Sequence, residues 1–360
     1  MGEATLGRKV GNKAMLWGAV AATIPDLDVL AYPFLRQVQE LYLHRGVTHS
    51  LLFGLVVSPL FGYLVYRLYR GRGSPAADPG WRGWSLLFAL GVLSHFALDL
   101  LTVYGVQILW PFVDTKLSLP TLFIVDPFYT IWFAIALPIL IVMRRRGRRQ
   151  GRDIGDVPRR ILLAMALGVS TAYIAWGVGA RTVTADRAER ALTVAGVTYD
   201  RMLVAPAPLS TFAWQVTADL GDGFSVGTLS VFDGPAPIRF HFVPANHQAA
   251  LPLVETRAIQ RLEWFSQGYY IVLPDTISLS PARLARGEEL TGVRIADLRF
   301  GRNDAWLTNR EDAEYYFQWS IISRSGEISD LRQWRPPFFA PGVFSQMVAR
   351  TFGRRSAEGY

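Results

Sequence analysis

Residues 85–104 read SLLFALGVLSHFALDLLTVY, a run long and apolar enough to cross a bilayer but interrupted by two ionisable side chains, His95 and Asp99. About 20 residues in an α-helix span a hydrocarbon core of about 30 Å. Helical backbone satisfies its own hydrogen bonds, as lipid requires. The stretch therefore sets the fold class, a membrane helix, and raises the question of function. Ionisable groups at that depth are costly and mark sites that do something. Four residues apart, His95 and Asp99 share one helical face about 6 Å apart. That spacing suits two ligands of one divalent ion, and equally a His–Asp hydrogen bond holding two buried helices together.

Outward from this helix, residues 50–66, 127–143 and 161–180 have the same length and character. A shorter run, residues 14–24, follows Arg8, Lys9 and Lys13 and ends at Pro25-Asp26 in place of a small-residue cleavage site. It is too short to span alone and reads as half of a longer helix or as a segment packed against the others. The expected architecture is a membrane α-helical bundle of four to five transmembrane helices over residues 1–180. A soluble α+β domain is expected over 181–360. There, a short amphipathic helix at 184–195 precedes alternating stretches at 212–218, 224–232, 238–243, 269–272, 293–299 and 315–322. Gly221-Asp222-Gly223 and Asp233-Gly234-Pro235 punctuate them as turns, and 253–265 has helical periodicity.

The chain is 51% hydrophobic with a net charge of +8, and its basic residues cluster beside apolar spans. Arg67, Arg70, Arg72 and Arg82 fall between two spans, and Arg144, Arg145, Arg146, Arg148, Arg149, Arg152, Arg159 and Arg160 between the next two. These connections read as cytoplasmic, so no nucleic-acid partner is expected. Residues 100–126 and everything after Arg181 then lie outside the cytoplasm. At about 1.5 Å per residue, His95 lies roughly 16 Å from Trp84 and Asp99 about 6 Å further out. Asp26, Asp28, His44 and His49 fall at the same outer level.

Cysteine is absent, which excludes disulfides and thiolate-ligated zinc and leaves His and carboxylate as the strong ligands. Three His and three Asp can hold two ions and a bridging water, the chemistry of hydrolysis without a protein nucleophile. His44 and His49, five apart, diverge by about 140° on a straight helix, so Gly46 is expected to permit a bend. Arg45 beside them offers a fork suited to a phosphate or carboxylate. The alternative is an interfacial loop in which His44 and Arg45 meet lipid headgroups. Asp26 and Asp28 point to different faces and are not expected to chelate one ion together. Either one ligates while the other caps the next helix, or each faces a different ion. Asp126 before Pro127 reads as a helix N-cap. His241 and His247 read as structural or surface residues, and Ser50 and Ser94 lack a nucleophile-elbow context.

Three stretches in order, Ile24-Pro25-Asp26-Leu27-Asp28, His44-Arg45-Gly46-Val47-Thr48-His49-Ser50, and Ser94-His95 through Asp99, Thr102 and Gly105 to Trp110-Pro111, resemble the YbcI/YdjM family. Its members are described as inner-membrane metal-dependent hydrolases. The resemblance covers about residues 14–130, extended by Tyr104-Gly105-Val106-Gln107 and Asp126-Pro127-Phe128. A subset of the family shares an outer domain with Leu-Arg-Phe-Gly, here Leu298-Arg299-Phe300-Gly301. The resemblance implies Asp26, Asp28, His44, His49, His95 and Asp99 as metal-site candidates. Relatives of this kind carry a further helical stretch ahead of the part matching Leu6-Gly7-Arg8, so a late start is expected here.

The expectation is a membrane-bound metal-dependent hydrolase holding one or two divalent ions, zinc first, among Asp26, His44, His49, His95 and Asp99. It would act on a lipid-borne or membrane-proximal ester, preferably a phosphoester. Asp28 is the candidate base and Arg45 the group that grips an anion. The partners expected are membrane lipids. The competing reading is a non-catalytic membrane protein with a structural metal site or polar clamp and a regulatory outer domain. A transporter is disfavoured because the candidates cluster on one side of the membrane.

Overall fold

The computed structural model describes residues 1–35, 37–71, 78–149, 156–235, 237–253, 256–274, 290–302, 314–324, 327–334, 336 and 343–353. Arg72 and Arg152, counted in the charge pattern, lie outside these residues. The chain divides into two compact units, one made of Met1–Phe34, Leu43–Leu119 and Ile124–Ala175, the other of Leu35–Tyr42, Pro120–Phe123 and Trp176–Tyr360.

The first unit is helical. Helices α1 (Gly2–Val10) and α2 (Asn12–Thr23) lead into a ten-residue 3-10 segment, Pro25–Phe34, and α3 (Gln37–Leu43), which falls almost wholly in the second unit, follows in the chain. Then come α4 (Leu51–Tyr69), α5 (Gly80–Leu100), α6 (Pro127–Arg149) and α7 (Asp156–Val194). Four of these helices, α4 to α7, are long and apolar enough to cross a membrane. The pair α2 and Pro25–Phe34, bent by 49° at their junction, meets the same test as one broken span. Helix α5 is the most enclosed of the four and packs on both α4 and α2. Small residues permit that approach: a Cβ on Gly62 would meet the Ser85 backbone at 2.4 Å, and one on Gly91 the Ala21 Cβ at 2.6 Å. Without a hydrophobic drive between helices in lipid, such close backbone packing supplies the association energy. Leu6, Ala21, Ile24, Val57, Trp84, Leu87 and Phe88 fill the space between α1, α2, α4 and α5. Glu3 of α1 is paired with Arg144 of α6 and Arg159 of α7.

The span expected at 85–104 stops at Leu100, where the chain turns toward Gly105, which adopts φ 74°. The separate helix expected at 184–195 is the end of α7, which runs unbroken for 39 residues. The reason lies in its phase: Ala180, Ala188 and Leu192 keep one helical register and are buried against Val204, Trp214 and Val216.

The second unit holds two four-stranded antiparallel sheets. The first is a meander in the order β1 (Arg201–Pro206), β2 (Ala213–Asp219), β3 (Gly223–Ser230), β4 (Phe240–Pro244). The second, in the order of its strands, contains β5 (Tyr270–Pro274), β6 (Leu290–Asp297), β7 (Gln318–Arg324) and β8 (Glu327–Trp334). Helix α8 (Arg257–Ser266), capped by Thr256, lies between the sheets in sequence, and α9 (Val343–Thr351) follows β8. The β2–β3 hairpin closes on Gly221 at φ 89°, with Asp219 accepting the Gly221 amide at 3.1 Å. Phe224, Val226 and Val243 of the first sheet and Ile271 and Ala296 of the second share one core, joined by Leu298.

Candidate metal centre

Pro25 ends α2, and the chain continues as a 3-10 turn that carries Asp26 and Asp28. In that geometry residues two apart lie on different faces, and the two carboxylates part company. The Asp26 side chain is 45% exposed and that of Asp28 1%. Asp28 faces inward onto the segment before α4. One of its oxygens takes the His44 Nδ1 contact at 3.2 Å; the other accepts the Arg45 amide at 3.3 Å and the Thr48 hydroxyl at 3.1 Å. These bonds shape the turn of the chain that precedes α4, a reversal over residues 44–49. The left-handed residue of that reversal is Arg45, at φ 58°, and not Gly46, where the sequence suggested the bend. Arg45 is held there by its amide on Asp28 and by its carbonyl, which accepts the Gln107 amide at 2.9 Å.

The reversal delivers His49, wholly buried, to the start of α4, where Ser50 caps the helix by accepting the Phe53 amide. His49 Nδ1 lies 3.0 Å from Thr48 Oγ1. Since Thr48 gives its own proton to Asp28, Nδ1–H donates to the hydroxyl, and Nε2 presents a lone pair on the far side of the ring. Burial pushes the His49 imidazole below its ordinary pKa.

Helix α5 brings His95 to the same point. His49 Nε2 and His95 Nε2 are 3.1 Å apart, and Asp26 Oδ1 lies 3.3 Å from the first and 3.5 Å from the second. This trio is the His/carboxylate group able to hold a metal ion among the described residues. Donors on a tetrahedral zinc at 2.0–2.1 Å sit about 3.3 Å from one another. The three measured edges match that separation, so the donor set fits a divalent ion with one face left open. Asp99, one helical turn from His95, brings Oδ2 to 3.3 Å from both imidazole nitrogens. Its other neighbour is Arg45, whose Nε is 3.1 Å away.

Arg45 does not reach outward. Its Nη1 donates to Thr102 Oγ1 at 2.7 Å, and its plane lies 4.7 Å from the Tyr104 ring centroid. His44 sits outside the trio, its ring centroid 5.8 Å from that of His49, between Tyr32 and Tyr104. Asp126 caps α6 through the amides of Phe128 and Tyr129 and takes the Tyr173 hydroxyl at 2.9 Å. Burial raises its carboxyl to about 6. His247 bonds the Tyr270 carbonyl and stacks on that ring, in the other unit. Sequence reasoning gave no part to Thr48, Tyr104 or Lys116, although Thr48 stood inside the His44–Ser50 motif. Lys116 Nζ lies 4.1 Å over Tyr104 and donates to the His44 carbonyl at 3.0 Å.

The family model described as YdjM inner membrane protein matches residues 1–183, the part of the chain that carries this whole constellation. The chain belongs to the YdjM inner membrane protein family. Inner membrane protein YbcI of Escherichia coli (strain K12) is 36% identical over 118 residues, 32% of this chain and 64% of that protein, just under two thirds of its length. No solved structure matches. Membership in the YdjM family and four spanning helices make this a multi-pass inner-membrane protein.

The hydrogen-bond relay yields a prediction. Replacing Thr48 by Ala removes the group that fixes the His49 tautomer without touching a donor of the trio. Zinc affinity, measured by competition with a chromophoric chelator, is expected to fall about 10- to 100-fold with stoichiometry kept. Unchanged affinity would mean that Asp28 and Thr48 have no hold on the ligand.

Proposed function

We propose that this chain is a membrane-bound metal-dependent hydrolase that holds one divalent ion, zinc foremost, on Asp26, His49 and His95. The substrate is a lipid-borne or membrane-proximal ester, with phosphoesters preferred. One observation carries the reading: two imidazole nitrogens and a carboxylate oxygen converge at tetrahedral edge distances with an open side. A bound ion would supply Lewis acidity, lowering the pKa of a water and polarising the scissile group. The chain's own residues do the rest. Asp99, whose Oδ2 lies beside both histidine nitrogens and Arg45 Nε, serves as the proton acceptor, and Arg45 restrains it. Asp28, engaged on both oxygens, positions His49 through Thr48 and holds His44. The arginine-rich connections support an orientation with the trio toward the outer leaflet and residues 181–360 outside the cytoplasm.

The test uses full-length protein in phospholipid vesicles, loaded with zinc, and follows release of phosphorylated headgroup and of fatty acid. Chelator-sensitive release that drops at least about 100-fold in Asp99→Asn, the loss typical of removing a positioned proton acceptor, supports the hydrolase. Stoichiometric zinc with no release from any vesicle lipid would leave the structural-site reading in its place.

A further inference from the structure

Asp26 is the open corner of the trio, so what surrounds it decides what can reach the site. It stands near the start of the 3-10 segment Pro25–Phe34, where residues three apart eclipse one another. Leu27, Leu30 and Pro33 form one file along the segment; Asp26, Val29 and Tyr32 form the next. The first file is exposed throughout, Leu27 at 49% and Leu30 at 68%, and Val29 beside Asp26 is exposed at 42%. Phe34, at the far end, is almost wholly uncovered. The charged side chains of the segment are Asp26 and Asp28, and Asp28 is turned inward. A water-borne substrate approaching Asp26 along the first file would cross Leu27 and Leu30, whose side chains offer it no polar group.

The position of this apolar file is also fixed by composition. With α2, the segment passes as a single membrane span broken by 49° immediately before Asp26. A 3-10 helix satisfies its backbone hydrogen bonds internally, so the segment can meet lipid, and broken spans place ligand-binding groups at the break. The exposed file thus belongs to a segment apolar enough for a membrane, and it begins at Leu27, next to Asp26 of the trio.

We infer that the trio is reached laterally from the bilayer, and that its substrate is an acyl-chain lipid whose chains lie along Leu27, Leu30 and Pro33 while its polar end meets Asp26. The reaction rests on the hydrolase reading above; the route does not. The natural absence of cysteine makes the route directly measurable. Full-length Leu30→Cys carrying a bimane label, reconstituted in phosphatidylethanolamine and phosphatidylglycerol vesicles, should be quenched by lipid bearing a doxyl group at carbon 5. Aqueous iodide should leave it largely bright. Leu55→Cys on α4, another strongly exposed position, serves as the lipid-facing reference. Phe34→Cys replaces Leu30→Cys if the latter fails to bind zinc. Strong iodide quenching with weak doxyl quenching overturns the inference.

The substrate class is read separately on wild-type, zinc-loaded protein. A vesicle-borne long-chain phosphoester should exceed its water-soluble short-chain counterpart in kcat/KM by at least about tenfold, the gain expected from burying two methylenes. A soluble ester that is the better substrate overturns the lipid assignment. Lipid-side quenching with no hydrolysis at all upholds the route and removes only the enzyme. Hydrolysis with an iodide-quenched label keeps the enzyme and removes the route.

Discussion

Purified full-length protein is expected to carry about one equivalent of zinc, and His49→Ala and His95→Ala are each expected to carry none above background. Each imidazole is one of three donors whose edges of 3.1, 3.3 and 3.5 Å fit a tetrahedral ion. Loss of an outer hydrogen-bond partner alone typically costs 10- to 100-fold in affinity, so loss of a donor is expected to cost at least about 1,000-fold. His44→Ala provides the contrast. Its ring meets Asp28 through Nδ1 and stands beside His49, so one equivalent should remain, bound no more than about 100-fold more weakly. Elemental analysis and chelator competition on the three variants decide the matter. Full zinc content in His49→Ala or His95→Ala would place the metal elsewhere and remove the trio as its site.

Those same residues show which parts of the site can be read without coordinates. The His95–Asp99 spacing is local, set by the turn of one helix, and it is the spacing found in α5. The divergence of Asp26 from Asp28 is local too, and follows from two-residue separation on a helical backbone, here a 3-10 turn. The meeting of His49 with His95 is not local. It depends on α4 and α5 lying close enough for Gly62 to fit against the Ser85 backbone, a contact between residues 23 apart. The roles of His44 and Thr48 depend on a single backbone torsion. With Arg45 in the left-handed region, His44 swings onto Asp28 and Thr48 falls between Asp28 and His49. Glycine was the natural place to expect that bend, since an arginine adopts it only when neighbours hold it there.

The second unit follows the same rule. Strands β2 to β7 announce themselves by buried, β-branched or aromatic residues, and the expected stretches fall on them within a few positions. Strands β1 and β8 pass unnoticed for lack of clean apolar–polar alternation, and not for edge position, which β4 and β5 share. Residues 327–334 read EISDLRQW, polar on both faces, as suits an exposed edge. The helix at 184–195 was expected, but not its continuity with the span before it: polar positions there mark the end of an apolar span, while the helical phase of its buried residues continues.

Arg299→Ala is expected to lower the melting midpoint of the second unit's transition by roughly 10 °C, followed by near-ultraviolet circular dichroism of the full-length protein in detergent. Arg299 is 3% exposed and Asp297 wholly buried. The guanidinium grips the carboxylate through Nε at 3.0 Å and Nη2 at 2.7 Å, and its face lies 4.9 Å from the Phe265 ring centroid. Removing the arginine strands a buried negative charge, which typically costs about 3–5 kcal/mol, and each kcal/mol moves the midpoint of a unit this size by about 2–4 °C. The double variant Asp297→Asn/Arg299→Met leaves no unpaired charge and is expected to recover most of the loss. The surroundings explain why the pair is kept. Leu298 accepts Gln215 Nε2 of the first sheet through its carbonyl at 2.7 Å and donates its amide to Tyr269 at 2.9 Å, next to the second. Leu298-Arg299-Phe300-Gly301 thus pins two sheets at one turn, Gly301 closing it at φ 78°. If Arg299→Ala melts within about 2 °C of wild type, less than 1 kcal/mol is at stake, and the motif needs a role other than holding the sheets together.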